Sequence, residues 1–296
     1  MNKLLLICLL FALANTAYAK VIHKERSLYR NIIVEDNYNL RCLKFNVKTS
    51  KTNQSCLYKD NPNKLVFNYT KLLFSSLLLL ENPPEKILIV GLGGGTMSNT
   101  LHQLYPNAKI ENVEIDPAVI KVARQYFSFF ENENITSKVQ DGRIYVKRAA
   151  MKKQKYDWII LDAFNGDYIP EHLLTKEFLQ ETKALLAENG VLSANTFSVS
   201  DLYAHESATY KAVFGDFFNV RNQKNSNRII LTANNALPSG EVIIERVKKL
   251  AKVLSPFGVD IAQISSSMTS TKEEQDWSDD TKVLTDQYSP ANLLNQ

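Results

Sequence analysis

Four short elements, each following an apolar run, most constrain what this chain can fold into. In order they are Ile87-Leu-Ile-Val-Gly-Leu-Gly-Gly-Gly95, Val113-Glu-Ile-Asp116, Asp141-Gly142 and Trp158-Ile-Ile-Leu-Asp162. Successive strands of a parallel α/β sheet read this way when each delivers a functional group at its carboxyl end. One glycine cluster alone is a weak signal. Four elements in this order point to a nucleotide-type ligand.

The surrounding pattern supports the same architecture. Strands are expected over 86–91, 109–115, 135–140, 156–162, 189–196, 217–222 and 227–233, with helices over 96–104, 117–128, 142–150, 173–187, 203–214 and 239–254. Pro117 suits a first helical turn. The last two strands are separated by a polar turn and so should run antiparallel. The expected fold is α/β, a class I methyltransferase-like (Rossmann-like) seven-stranded sheet. Before it, residues 20–66 read as a small β-hairpin unit, with strands over 27–34 and 40–45 and a third near 54–58. A helical pattern is expected from Pro62 through Leu80. The chain thus divides into residues 1–19, an amino-terminal β unit (20–66), a Rossmann-like domain (67–238) and a carboxyl-terminal helix and tail (239–296).

Residues 1–19 form a separate element. A basic start at Lys3, an apolar stretch from Leu4 to Ala14 and small residues at Ala17 and Ala19 make a secretory signal pattern, too short for a comfortable membrane span. The protein is therefore expected to be exported, periplasmic or secreted, with no membrane span after cleavage. Two cysteines, Cys42 and Cys56, would remain. A nearby pair in an exported protein is a disulfide candidate, and two small core thiols are the alternative. The formal charge of +4 carries no basic stripe, which argues against nucleic acid as a partner. The four histidines are scattered without metal-ligand spacing, so no metal is expected.

The motifs themselves suggest chemistry. Gly91, Gly93 and Gly95 lie in a strand-to-helix turn that lets a ligand approach the backbone. Dinucleotides and sulfonium nucleosides both use such a turn, and both place an acid after the next strand, here Glu114, on the ribose hydroxyls. A dinucleotide fold prefers a further glycine where this chain has Thr96. Asp141-Gly142 favours the sulfonium nucleoside, because a carboxylate there can accept from an adenine amino group. Asp162 ends the most apolar strand, at the rim where ligands of α/β proteins bind.

From Glu25 to Phe178 the chain resembles the spermidine synthase family of polyamine aminopropyltransferases, especially its divergent bacterial branch. The resemblance rests on the glycine turn, Val113 to Asp116, Asp141-Gly142, Asp162 to Pro170, Leu173-Thr175-Phe178 and the ending Leu284 to Pro290. It implies decarboxylated S-adenosylmethionine as co-substrate, a polyamine such as putrescine as acceptor, no prosthetic group and a homodimer. It further implies that Glu114 holds the ribose and Asp141 the adenine, with Gly142 beside them. Asp162 would orient and deprotonate the attacking amine, flanked by Tyr29 and Tyr69. An alkylamine is mostly protonated at neutral pH and cannot attack until a base takes its proton.

Two positions depart from the family pattern. Thr96 and Asn165 stand where a typical synthase carries acids that hold the cationic amine. Neutral side chains can hydrogen-bond an amine but cannot neutralise it. Asp167, Glu171 or Asp286 are the candidate replacements. Two rival readings follow: an S-adenosylmethionine-dependent methyltransferase on the same fold, and a catalytically degenerate exported binder of polyamines or nucleosides.

Overall fold

A computed structural model describes residues 19–47, 50–164, 168–221 and 226–288. Apart from Ala19, the segment read as an export signal lies outside the described residues, as do Asn165 and Asp167.

The amino-terminal residues form an antiparallel meander of β1 (Lys20–Arg26), β2 (Asn31–Asn37), β3 (Leu40–Val47) and β4 (Ser50–Tyr58). Ile32, Val34, Leu43, Phe45 and Leu57 are buried together against Val119, Val122 and Phe127, so this sheet is fastened to the larger domain by apolar packing. Cys42 and Cys56 face each other across β3 and β4 with Cα atoms 4.1 Å apart and are bridged.

Residues 27–30, expected to open a strand, form the turn between β1 and β2 instead. The Ser27 hydroxyl accepts from the amides of Tyr29 and Arg30, both at 3.0 Å, and donates to Asp116 at 2.6 Å. A hydroxyl bonded to its own backbone competes with strand pairing. The next helix also starts later than its periodicity suggests. Leu65 is tied by its amide to the Phe257 carbonyl and bridges to Leu57. Only then does α1 (Asn68–Leu73) begin, passing into a 3-10 turn over Phe74–Leu78. There Ser75 and Ser76 donate to the carbonyls of Leu72 and Leu73, three residues back, which matches the tighter winding.

From Lys86 strand and helix alternate in the predicted order, except that the helix expected over 173–187 runs only over Lys176–Lys183 and the strand after it begins early, at Leu186. The elements are β5 (Lys86–Val90), α2 (Thr96–Leu104), β6 (Lys109–Glu114), α3 (Pro117–Tyr126), β7 (Ile135–Val139), α4 (Gly142–Met151), β8 (Tyr156–Leu161), α5 (Lys176–Lys183) and β9 (Leu186–Phe197). They continue as α6 (Tyr203–Phe214), β10 (Phe218–Arg221), β11 (Asn227–Ala233), α7 (Gly240–Leu254), α8 (Ile261–Ser265) and β12 (Met268–Ser270). The sheet order is β12-β10-β11-β9-β8-β5-β6-β7, parallel from β9 to β7 and antiparallel from β9 to β12. The seven expected strands are all present. An eighth, the three-residue β12, joins at the edge; it is half-buried throughout and pairs only with β10, so no hydrophobic pattern marks it.

Strands covered on both faces need near-continuous apolar runs. In β5, Ile87 and Ile89 enter one core with Leu101, Trp158 and Ile160, while Leu88 and Val90 enter the opposite core with Ile159, Leu161 and Phe178. The chain leaves β5 toward β6 and β7, then returns to lay β8 on its other side. This is a topological switch point, and the crevice at its carboxyl ends is where such sheets bind ligands.

Candidate active site

The switch point opens into a cavity of about 280 Å³, floored by the ends of β5, β6 and β8 and closed above by the amino-terminal sheet. Gly91 is required here by geometry. Its φ is 102°, and a Cβ would lie 2.2 Å from the Asp162 carbonyl oxygen, so only glycine lets β5 and β8 end side by side. Gly91 and Gly93 line the cavity with Thr96 and Gly142. Gly95 does not. It sits in the left-handed region as the cap of α2 and packs against Phe129.

Glu114 is 8% exposed and accepts from the amides of Leu92 (3.2 Å) and Asp116 (3.1 Å), one on each oxygen. Burial raises its pKa, opposed first by the nearby Arg30 charge. Each oxygen keeps a lone pair, which suits a vicinal diol. Asp141 caps α4 through the Ile144 amide (3.0 Å) and pairs with His172 Nε2 (2.9 Å). The His172 bond, with help from the helix amides, holds its carboxyl below the ordinary range.

Asp162 behaves oppositely. It is half-buried at the floor of the cavity, and its carboxylate accepts from Asn195 Nδ2 at 2.8 Å and receives the Tyr69 hydroxyl. Burial pushes its pKa up to about 7, against the lowering pull of those two donors. Tyr69 in turn is raised well above its usual value, by burial and then by the Asp162 charge, and remains a hydrogen-bond donor. A carboxyl poised near neutrality can both take and release a proton at working pH.

Tyr29 reaches the cavity from the Ser27 turn, half exposed at its mouth. The turn also delivers Arg30, which sequence reasoning missed. Its guanidinium stacks on Phe45 at 4.3 Å, donates to the Phe164 carbonyl at 3.3 Å and lies 3.7 Å from Asp116. His172 and Asn195 were missed too, because each meets its carboxylate only across long sequence separations. Asp286, a candidate replacement acid, points elsewhere: it forms a two-pronged pair with Arg143 at 2.6 and 2.7 Å and accepts from Thr175. Among the described residues, no group of three or more His, Cys, Asp or Glu side chains is placed to hold a metal. No described helix is long and apolar enough to cross a membrane.

Residues 66–220 match the family model of the spermine/spermidine synthase domain. Over 292 residues, 98% of this chain and 96% of the relative, the protein is 46% identical to a polyamine aminopropyltransferase of Vibrio vulnificus (strain CMCP6). An eEF1A lysine and N-terminal methyltransferase of Bos taurus is 28% identical over 246 residues, covering 78% of this chain but 33% of that protein. A probable spermidine synthase from Corynebacterium glutamicum superposes with a TM-score of 0.69 at 20% identity, over 89% of this chain and 96% of that one, a likeness of fold. Nearly half the residues are shared with an aminopropyltransferase along almost the whole of both chains, and the family domain covers the cavity's strand ends. The chain belongs to the spermine/spermidine synthase family, the polyamine aminopropyltransferases.

Proposed function

We propose that the cavity binds decarboxylated S-adenosylmethionine and transfers its aminopropyl group to an amine of a polyamine, with Asp162 as general base. The observation that carries this reading is the Asp162 carboxyl at the end of β8, bonded to Tyr69 and Asn195 and raised by desolvation to about 7, in one cavity with Glu114 and Asp141. Glu114 accepts from the ribose hydroxyls and Asp141 from the adenine amino group, while Gly91, Gly93 and Gly142 let the nucleoside lie close to the backbone. The acceptor amine gives a proton to Asp162, and its freed lone pair attacks the methylene next to sulfur. The carbon–sulfur bond breaks, its electron pair returns to sulfur, and methylthioadenosine leaves as a neutral thioether. Tyr29 and Tyr69 offer ring faces to the cationic acceptor, and Thr96 offers a hydroxyl without a counter-charge.

The expected outcome is methylthioadenosine release from decarboxylated S-adenosylmethionine across a panel of diamines and polyamines. Asp162→Asn should slow it by about 10²–10⁴-fold, the usual worth of a positioned base. Turnover with S-adenosylmethionine in place of the decarboxylated donor would move the reading to methyl transfer. Turnover undiminished in Asp162→Asn would remove the assigned base.

We extend the proposal to export, on the amino-terminal signal pattern and on the buried Cys42–Cys56 bridge, which fits an oxidising compartment. A homodimer is the assembly implied by family membership. Cell fractionation and sedimentation, respectively, decide these two points.

A further inference from the structure

Asp162 is held by a short chain of amides that reaches it from the antiparallel extension of the sheet. Asn195 on β9 is 3% exposed and donates its Nδ2 to Asp162 Oδ1 at 2.8 Å. Its other end, Oδ1, accepts from Asn227 Nδ2 on β11 at 3.0 Å. In the register of these strands Asn195 lies opposite Ile229, so Asn227 is its diagonal neighbour, within reach on the same face.

An amide has a donor end and an acceptor end of nearly the same shape. Turned over, Asn195 would set its carbonyl oxygen against the carboxylate, oxygen against oxygen. The bond from Asn227 makes that orientation costly, because the turned amide would present a donor to a donor. We infer that Asn227 is a positioning residue, whose Nδ2 bond favours the orientation of the Asn195 amide that faces its NH₂ toward Asp162 Oδ1. The proton taken from the acceptor amine is then left to the other carboxylate oxygen. This inference rests on Asp162 being the base of the proposed reaction, and Asn227 itself touches neither the carboxylate nor the proposed substrates.

Few charged groups complicate the readout. The titratable group in contact with Asp162 is Tyr69. Arg30 and Glu114 share the cavity, with Asp141 and His172 also on its lining. Behind the site, β11 carries the buried Arg228, paired with Glu206 at 2.9 Å.

The test needs no turnover. In the full chain, the ¹³C resonance of the Asp162 carboxyl, assigned by its loss in Asp162→Asn, is followed against pH for the parent, Asn195→Ala, Asn227→Ala and the double variant. Methylthioadenosine affinity is measured in parallel by calorimetry. The parent midpoint should lie near pH 7, as burial sets it at about 7. Losing a donor to the carboxylate should raise the midpoint by about half a pH unit or more in Asn195→Ala, and by less in Asn227→Ala. The double variant should match Asn195→Ala alone, because Asn227 acts through it. Nucleoside affinity should stay within about twofold in all. An unmoved midpoint in Asn227→Ala, or a double shift equal to the sum of the singles, overturns the inference. Should Asn227→Ala fail to fold, the near-isosteric Asn227→Leu is read by the same criteria. Absent aminopropyl transfer with the expected titration would overturn the proposed reaction and leave the positioning intact.

Discussion

Asp141 and Asp162 each follow a strand of one sheet and line one cavity, yet their surroundings pull them in opposite directions. Asp141 is partly open to solvent, caps α4 and pairs with His172, and its carboxyl is held low. Among the described residues no cation is placed against Asp162, which is bonded to Tyr69 and Asn195, and burial pushes it up to about 7. Residue type is the same; environment divides the labour. A carboxylate kept ionised suits a steady acceptor for a nucleobase amine, and one poised near neutrality suits proton transfer.

The largest effect expected from this contrast is on stability. An ordinary aspartate titrates at 3.8, whereas Asp162 titrates near 7 in the fold, so the folded state binds this proton more tightly than the unfolded one. Its burial therefore costs nothing at low pH, and stability is lost as pH rises from about 4 through 7. Relative to the parent, Asp162→Asn should gain on the order of 3 kcal/mol between pH 4 and pH 8, measured by urea unfolding at both. A difference that does not change with pH would mean that Asp162 is solvated much like Asp141.

Ligand affinity sharpens the other side of the comparison. Asp141→Ala should weaken methylthioadenosine binding by about 10–100-fold, the range for a hydrogen bond to a charged group. Asp162→Asn should leave it nearly unchanged. Equal losses in both variants would merge the two sites into one. The smallest effect is expected at His172. His172→Ala removes the strongest influence holding Asp141 low, so its carboxyl should move back up toward 3.8 and nucleoside affinity should fall about threefold to fivefold. Calorimetry near pH 7 checks this, and an unchanged affinity would make the pair a surface contact without bearing on the ligand.

Legibility differed along the chain for physical reasons. The parallel strands from Lys86 to Leu161 could be read closely, because burial on both faces demands runs such as Ile87 to Val90. Glu114, Asp141 and Asp162 were legible with them, since a residue at a strand end is placed by the strand. The start of α1 was not, because Leu65 is drawn into a bridge with Leu57 and a bond to Phe257, contacts that local periodicity does not encode. The Ser27 turn was misread as strand because its hydroxyl works on the local backbone and on Asp116 together. Gly95 shared the glycine pattern of Gly91 but spends its freedom on the α2 cap.

Local sequence sets the order of strands and helices, the acids at three strand ends and the two cysteines able to pair. Those features follow from side-chain chemistry and periodicity within a few residues. Folding decided that Cys42 and Cys56 bridge, that Arg30 enters the cavity, that His172 meets Asp141, and that Asn195, bonded to Asn227, meets Asp162. Each of these depends on two distant segments arriving at one point. Their consequences, a carboxyl raised toward neutral pH in one cavity with a carboxylate held low, arise from desolvation and neighbouring dipoles that exist only once the chain has folded.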